Sequence, residues 1–222
     1  MRALPLALVL LLAACAQAPQ QHLASQGNTE LLDRLPAALG TFTAETGASP
    51  QLNSATRRYR MRGAQGIVNL GRPPETPPVA DGPEAAGARQ LVEHLTRSLM
   101  ARVQPEPGFG PWRREADLTF QRPSLPALHC SALRRPRGEA AQVQYFCITG
   151  LHGRYLTVGM SVNHTAMSAL SAQNLASTFS LEVTRLLATG EGLAAPQPVL
   201  SAPGAAKPPA APPPEDDAVP EG

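Results

Sequence analysis

A chain of 222 residues, 43% of them apolar and with a formal net charge of +2, has room for one packed domain and lacks the strong basic excess of a polyanion-binding protein. Only 4% of residues are aromatic, and the 24 prolines and 18 glycines cluster, which confines regular structure to the middle of the chain. Of the 19 basic residues only Lys207 is a lysine; codon bias accounts for that, so arginine abundance alone is no signal for nucleic acid.

At the N-terminus Arg2 supplies a positive charge, and Leu4 to Leu12 form an apolar run broken by Pro5, too short to span a bilayer stably. The run closes on Leu12-Ala13-Ala14-Cys15. This tetrapeptide resembles the lipobox of bacterial lipoproteins. The resemblance implies a signal peptide over residues 1–14, cleavage before Cys15, and acyl chains on Cys15 that join the mature protein to a membrane. Each buried methylene contributes about 0.8 kcal/mol, so two or three acyl chains hold far more firmly than one. Ala16-Gln17-Ala18 also satisfies the small-x-small rule, and cleavage after Ala18 stands as the alternative. Ala16 occupies the place where an aspartate would resemble the inner-membrane retention signal of enterobacterial lipoproteins, so by resemblance the outer membrane, facing the periplasm, is the expected location. Without Arg2 the mature chain keeps 18 of its 19 basic residues against 17 acidic ones, a formal charge of about +1.

Residues 15–29 then read as an acylated N-terminus and flexible tether, because Gln17, Pro19, Gln20, Gln21, Ser25, Gln26, Gly27 and Asn28 show no apolar period. A single domain is expected over 30–192. It opens with a helical turn around Leu31 to Leu39 and continues in extended segments near Thr41 to Thr46, Arg57 to Met61 and Gln65 to Leu70. Arg57, Arg58, Arg60 and Arg62, like Arg134, Arg135 and Arg137 further on, read as solvated strand faces, with lipid headgroups or an anionic partner as the alternative. Pro73, Pro74, Pro77 and Pro78 forbid a regular element there. Asp81 and Glu84 stand in capping-box spacing around Pro83, and Ala88, Leu91, Leu95, Leu99 and Val103 follow on one stripe, which predicts a helix from about 84 to 103.

Beyond a Pro/Gly loop ending at Pro111, three strand-like segments fit one another. A two-residue turn at Gly138-Glu139 pairs Ala132 with Tyr145 and sets Cys130 directly opposite Cys147, in a pair that lacks mutual hydrogen bonds. Cα atoms in such a pair stand roughly 4.5 Å apart, within disulfide range. A second turn at His152-Gly153 pairs Cys147 with Val158. In these registers one face collects Leu128, Cys130, Ala132, Val143, Tyr145, Cys147, Thr149, Leu156, Val158, Met160 and Val162, and a slip of one residue would exchange it for the polar face. The predicted polar face holds His129, Ser131, Arg135, Gln142, Gln144, Thr157 and Ser161, but also Leu133, Phe146, Ile148 and Tyr155. With Cys130 and Cys147 joined, Cys15 is the thiol left over for lipid.

A last helix is expected from after Asn163 to about Ala188, with Leu175, Phe179, Val183 and Leu186 on one stripe and Gly190 at its stop. Residues 193–222 are mostly Pro and Ala and end in an acidic run, Glu215 to Asp217, the composition of a disordered tail. The fold class is therefore α+β: an antiparallel sheet with an internal and a C-terminal helix packed on it. The order of elements loosely resembles PsbP-like and Mog1-like domains, a resemblance that transfers no functional residue.

Chemistry is not written in a motif. The chain has no Gly-x-Ser-x-Gly elbow, no His-Glu-x-x-His helix and no phosphate-cradling glycine loop, and the histidines at 22, 94, 129, 152 and 164 lack metal-ligand spacing. His164, between Asn163 and Thr165 at a strand-to-helix junction, is the histidine best placed for a site, although Asn163 or Thr165 capping the helix explains the same residues. No catalytic, cofactor-binding or metal residue is assigned. The expectation is a non-enzymatic envelope lipoprotein that binds or scaffolds another envelope protein, with no nucleic-acid partner. The alternatives are a carrier of a small apolar or lipid ligand, and a hydrolase with no recognisable motif.

Overall fold

In the computed structural model, residues 23, 26–72, 79–85, 87–101, 107–163 and 167–194 are described. The leader, Cys15, most of the expected tether, Val103, His164, Thr165 and the tail from 195 lie outside the described residues. The architecture is α+β, one antiparallel nine-stranded sheet with helices on both faces. In chain order the elements are α1 (Asn28–Asp33), β1 (Ala38–Leu39), β2 (Phe42–Ala44), β3 (Ser49–Gln51), β4 (Ser54–Met61), β5 (Ala64–Gly71), α2 (Ala88–Met100), β6 (Arg113–Phe120), β7 (Leu128–Arg137), β8 (Ala140–Leu151), β9 (Arg154–Asn163) and α3 (Ala169–Thr189). The spatial order is β1-β2-β4-β5-β9-β8-β7-β6, with β3 beside β4.

The two hairpins take the registers their turns and cysteines predict. Cys130 faces Cys147, Ala132 faces Tyr145, and Cys147 faces Val158. Cys130 and Cys147 form a disulfide, with Cα atoms 4.0 Å apart, the close approach of a pair without mutual hydrogen bonds. All eleven residues assigned to the inner face are buried. Against them pack α1 and α3; α3 contributes Ala172, Ala176, Phe179, Val183, Leu186 and Leu187. The cap of α3 is Ser168, whose Oγ accepts from the Ser171 amide at 3.2 Å, five residues beyond the expected start at Asn163. Asn163 instead closes β9 and donates its amide to the Gly63 carbonyl.

The opposite face is only partly polar, because α2 covers β7 and β8. Ile148, Val79, Ala85, Ala88 and Val92 form a second, smaller core, and Leu133 on the same face is fully buried. Ser131 and Arg135, expected on a polar face, are buried as well, Arg135 against the rings of Phe109 and Trp112. The helix itself differs from expectation in two ways. It begins at Ala88, not 84, because the preceding segment is occupied elsewhere: Gly82 and Gly150 exchange backbone hydrogen bonds of 2.9 and 2.8 Å, and Asp81 accepts the His152 amide at 2.7 Å rather than capping a helix. Gly150 is essential to that contact, since a Cβ there would lie 1.8 Å from the Ala80 carbonyl oxygen. The buried stripe is Ala88, Val92 and Thr96, small residues that let the helix approach closely, while Leu91, Leu95 and Leu99 flank it half-buried.

Other parts of the fold also depart from the sequence reading. The helical turn foreseen over 31–39 is α1 at 28–33 followed by a short strand. Strand β6, Arg-Arg-Glu-Ala-Asp-Leu-Thr-Phe, carries too little apolar alternation to stand out; it is an edge strand with a bulge between Arg114 and Ala116, and charged side chains guard its open side. Arg57 is not solvated: on the inner face of β4 it donates to the Leu32 and Asp33 carbonyls at 2.6 and 2.9 Å, in the last turn of α1. Arg135 is sandwiched by aromatic rings, 3.8 Å from the Phe109 centroid and 4.7 Å from that of Trp112. Arg58 and Arg60 do face solvent, as expected.

Arginines also bind both ends of the described chain to the domain. Leu23 and Gln26, inside the stretch expected to be a free tether, are 3% and 6% exposed. Arg154, buried at the start of β9, donates to the carbonyls of Leu23 and Gln26. Arg34 joins Gln26 Oε1 at 2.6 Å and the Ala194 carbonyl at 2.8 Å, and the Ala194 amide returns a bond to the Arg34 carbonyl. The side chain of Leu23 rests against Gly190 at the end of α3, where φ of +74° suits glycine and a Cβ would sit 3.3 Å from Leu23 Cδ1. Among the described residues no helix is long and apolar enough to cross a membrane.

Candidate functional site: an apolar cleft between the first hairpin and the last helix

Strands β1 and β2 are joined by Gly40 and Thr41, with Leu39 opposite Phe42 and φ of +58° at Gly40. So short a hairpin cannot cover the adjacent length of α3. Between them lies a cleft of about 470 Å³. Its floor is apolar, made by Leu39, Phe42, Leu175 and Phe179, and its rim is polar, made by Thr41, Thr178 and Glu182. A mostly apolar concavity with a few polar groups at the mouth is the usual form of a small-molecule site.

The floor is held in place by ring packing. Phe179 contacts Phe42, centroids 4.6 Å apart, and meets Tyr59 edge-on at 5.6 Å. Beneath it lies Gly66 on β5, where a Cβ would stand 2.8 Å from Phe179 Cζ; the missing side chain lets the ring lie on the sheet. The buried Tyr59 hydroxyl donates to the Pro36 carbonyl at 3.0 Å, and desolvation pushes its pKa up to about 12. On the rim, Arg185 makes a two-point contact with Glu182 at 2.7 and 3.0 Å, which holds the carboxyl below its ordinary pKa. The mouth thus presents a paired carboxylate and guanidinium, with hydroxyls nearby, and the depth presents hydrocarbon and aromatic surface.

The residues singled out in the sequence fall elsewhere. Cys130 and Cys147 lie fully buried in the main core, and their disulfide is a staple across the central hairpin. The His152 imidazole meets the Leu187 carbonyl through Nε2 at 3.1 Å and so secures the C-terminal end of α3, while His129 lies on β7 and His94 is exposed. Among the described residues no cluster of three or more His, Cys, Asp or Glu stands ready for a metal ion. The cleft residues carry weak signals in sequence: Leu175 and Phe179 lie on the predicted stripe of the last helix, and Leu39 and Phe42 flank a glycine turn. No protein-family model matches the chain, and a search of curated proteins finds no match.

Proposed function

We propose that this protein is a non-enzymatic bacterial lipoprotein, anchored through acyl chains on Cys15 at the periplasmic side of the outer membrane, that carries a small, largely apolar ligand. The observation that supports carriage over pure scaffolding is the cleft of about 470 Å³ floored by Leu39, Phe42, Leu175 and Phe179. Its size suits a molecule of one or two rings or a short acyl chain, and its hydroxyl and ion-pair rim suits a polar head left at the surface. An envelope protein that delivers or accepts the ligand fits the same reading; the mature chain's nearly balanced charge gives no reason to invoke nucleic acid.

The test is binding of the fluorescent apolar probe N-phenyl-1-naphthylamine to the wild type and to Leu175→Arg. Leu175 is the half-buried member of the cleft floor on α3, so the substitution blocks the cleft while the rest of the core keeps its packing. Saturable binding by the wild type, lost in the variant at an unchanged cooperative melting transition, is the expected result. Absence of saturable binding, or equal binding by both proteins, refutes carriage in this cleft.

A further inference from the structure

One end of the sheet gathers the described N-terminus, the β3–β4 turn, the end of β5 and the β8–β9 turn: Ser54 pairs with Gly71, Gly71 with Tyr155, and Leu151 with Arg154, whose guanidinium holds Leu23 and Gln26. At this end Leu52 is 93% exposed. A single exposed leucine needs no explanation by itself. Its mounting and its position give it meaning here. It sits at the tip of a two-residue turn whose other member, Asn53, has φ of +61° and accepts hydrogen bonds through its carbonyl from Asn28 Nδ2 at 3.1 Å and from the Arg72 amide at 3.0 Å. The turn is therefore braced from α1 on one side and from β5 on the other. Behind Leu52 a groove of about 450 Å³ runs past Asn69, Arg72, Leu91 and Tyr155, with a cation beside apolar surface.

We propose that this end of the domain is a membrane-contact surface, with Leu52 seated in the interfacial layer of the bilayer and Arg72 at the level of the lipid phosphates. The inference rests on the reading of Cys15 as the acylated residue. Eight backbone steps separate Cys15 from Leu23, and at about 3.5 Å per residue they reach at most ~28 Å. Because Leu23 is clasped to the fold, that short length, rather than the whole expected tether of residues 15–29, sets the distance between lipid and domain. The end that holds Leu23 is thus the end kept nearest the bilayer, and Leu52 is the apolar side chain it offers. Among the described residues the other exposed large apolar side chains are Met100 and Leu170, and Leu170 lies on the far side, because it opens α3, whose opposite terminus meets His152 at the anchored end.

The full-length protein, acylated in cells, is purified as Leu52→Cys and as Leu170→Cys, labelled with an environment-sensitive nitrobenzoxadiazole dye, and reconstituted into mixed phosphatidylethanolamine–phosphatidylglycerol vesicles. Both positions are exposed, so neither change threatens the fold, and with Cys130 and Cys147 joined and the Cys15 sulfur carrying lipid, the introduced thiol is the reactive one. The dye at position 52 is expected to shift to the blue and to be quenched several-fold more by nitroxide lipids than the dye at position 170. Equal behaviour at the two positions in protein that floats with vesicles, whether aqueous or quenched, overturns the contact surface. Protein that fails to float, with an N-terminal peptide mass lacking acyl chains, refutes the anchor instead, and the surface falls with it.

Discussion

Replacing Gly66 with alanine tests the construction of the cleft floor. On a β-strand the exchange should be favourable by itself, because alanine has less backbone entropy to lose, roughly 0.5–1 kcal/mol in its favour. Only a clash can reverse the sign. The added Cβ would lie 2.8 Å from Phe179 Cζ and 2.9 Å from Cε1, whereas ordinary contacts begin at 3.4 Å, so the ring must withdraw by about 0.6 Å. Phe42 and Tyr59 bracket that ring, and the open side left to it is the cleft. Overpacking of this kind costs about 1–3 kcal/mol. Set against the roughly 0.5–1 kcal/mol gained, the net loss centres on about 1 kcal/mol and reaches ~2.5 kcal/mol, so at roughly 2–4 °C per kcal/mol for a domain of this size Gly66→Ala should melt up to about 10 °C below the wild type. Thermal unfolding followed by circular dichroism gives the shift, and probe titration should show weaker binding as the ring moves into the cleft. Introduced into Phe179→Leu, where the ring is gone, the same Gly66→Ala change should cost less than about 0.5 kcal/mol, the signature of a directly coupled pair. A wild-type melting temperature, or an equal loss in both backgrounds, refutes the account of Phe179 seated on a bare strand.

Removal of the staple by Cys130→Ala with Cys147→Ala should lower unfolding stability by about 3 kcal/mol for a loop of this length, read as a shift between denaturant curves; an unshifted curve counts against the disulfide as a stabiliser. Two of the three tyrosines, Tyr59 and Tyr145, are held protonated by desolvation, with pKa pushed up to about 12. Folded-state values above the unfolded value of about 10 mean that their contribution is complete below pH ~10 and is lost as the pH rises from there through about 12. Alkaline titration should show tyrosinate absorbance from these two appearing with unfolding; ionisation of Tyr59 and Tyr145 near pH ~10 in folded protein refutes their burial.

The central hairpins were legible because several local signals agree on one register: glycine at each turn, two cysteines that fall opposite, and alternation that changes face if slipped. Three of the four apolar intruders on the outer face also carried information. Leu133 and Ile148 are fully buried and Tyr155 packs against the same small core, all at the site where α2 covers the sheet. What misled was a local signal overruled by distant partners. Asp81 has capping-box spacing, but the His152 amide, 71 positions away, claims its carboxylate, and Gly82 is tied to Gly150. Arg57 reads as one of a row of surface charges, although the carbonyls at the end of α1 draw it inward. The cleft was illegible for the same reason of separation. Leu39 and Phe42 precede Leu175 and Phe179 by more than a hundred positions, and no periodicity in either segment reports that a short hairpin leaves part of the helix uncovered.

Arg34 grips the chain where it enters the domain, through Gln26, and where it leaves, through Ala194. A pull exerted on the C-terminal segment against an anchored N-terminus would therefore enter and exit the fold at adjacent points. Tension would run first through the guanidinium groups of Arg34 and Arg154 and their few partners, rather than along the long ladders of β5, β9, β8 and β7. The sheet is not in the line of force. Such a load would peel the Arg34 latch open bond by bond before any strand was sheared, so the domain could yield length at its margin while the cleft and its disulfide-stapled core stayed intact.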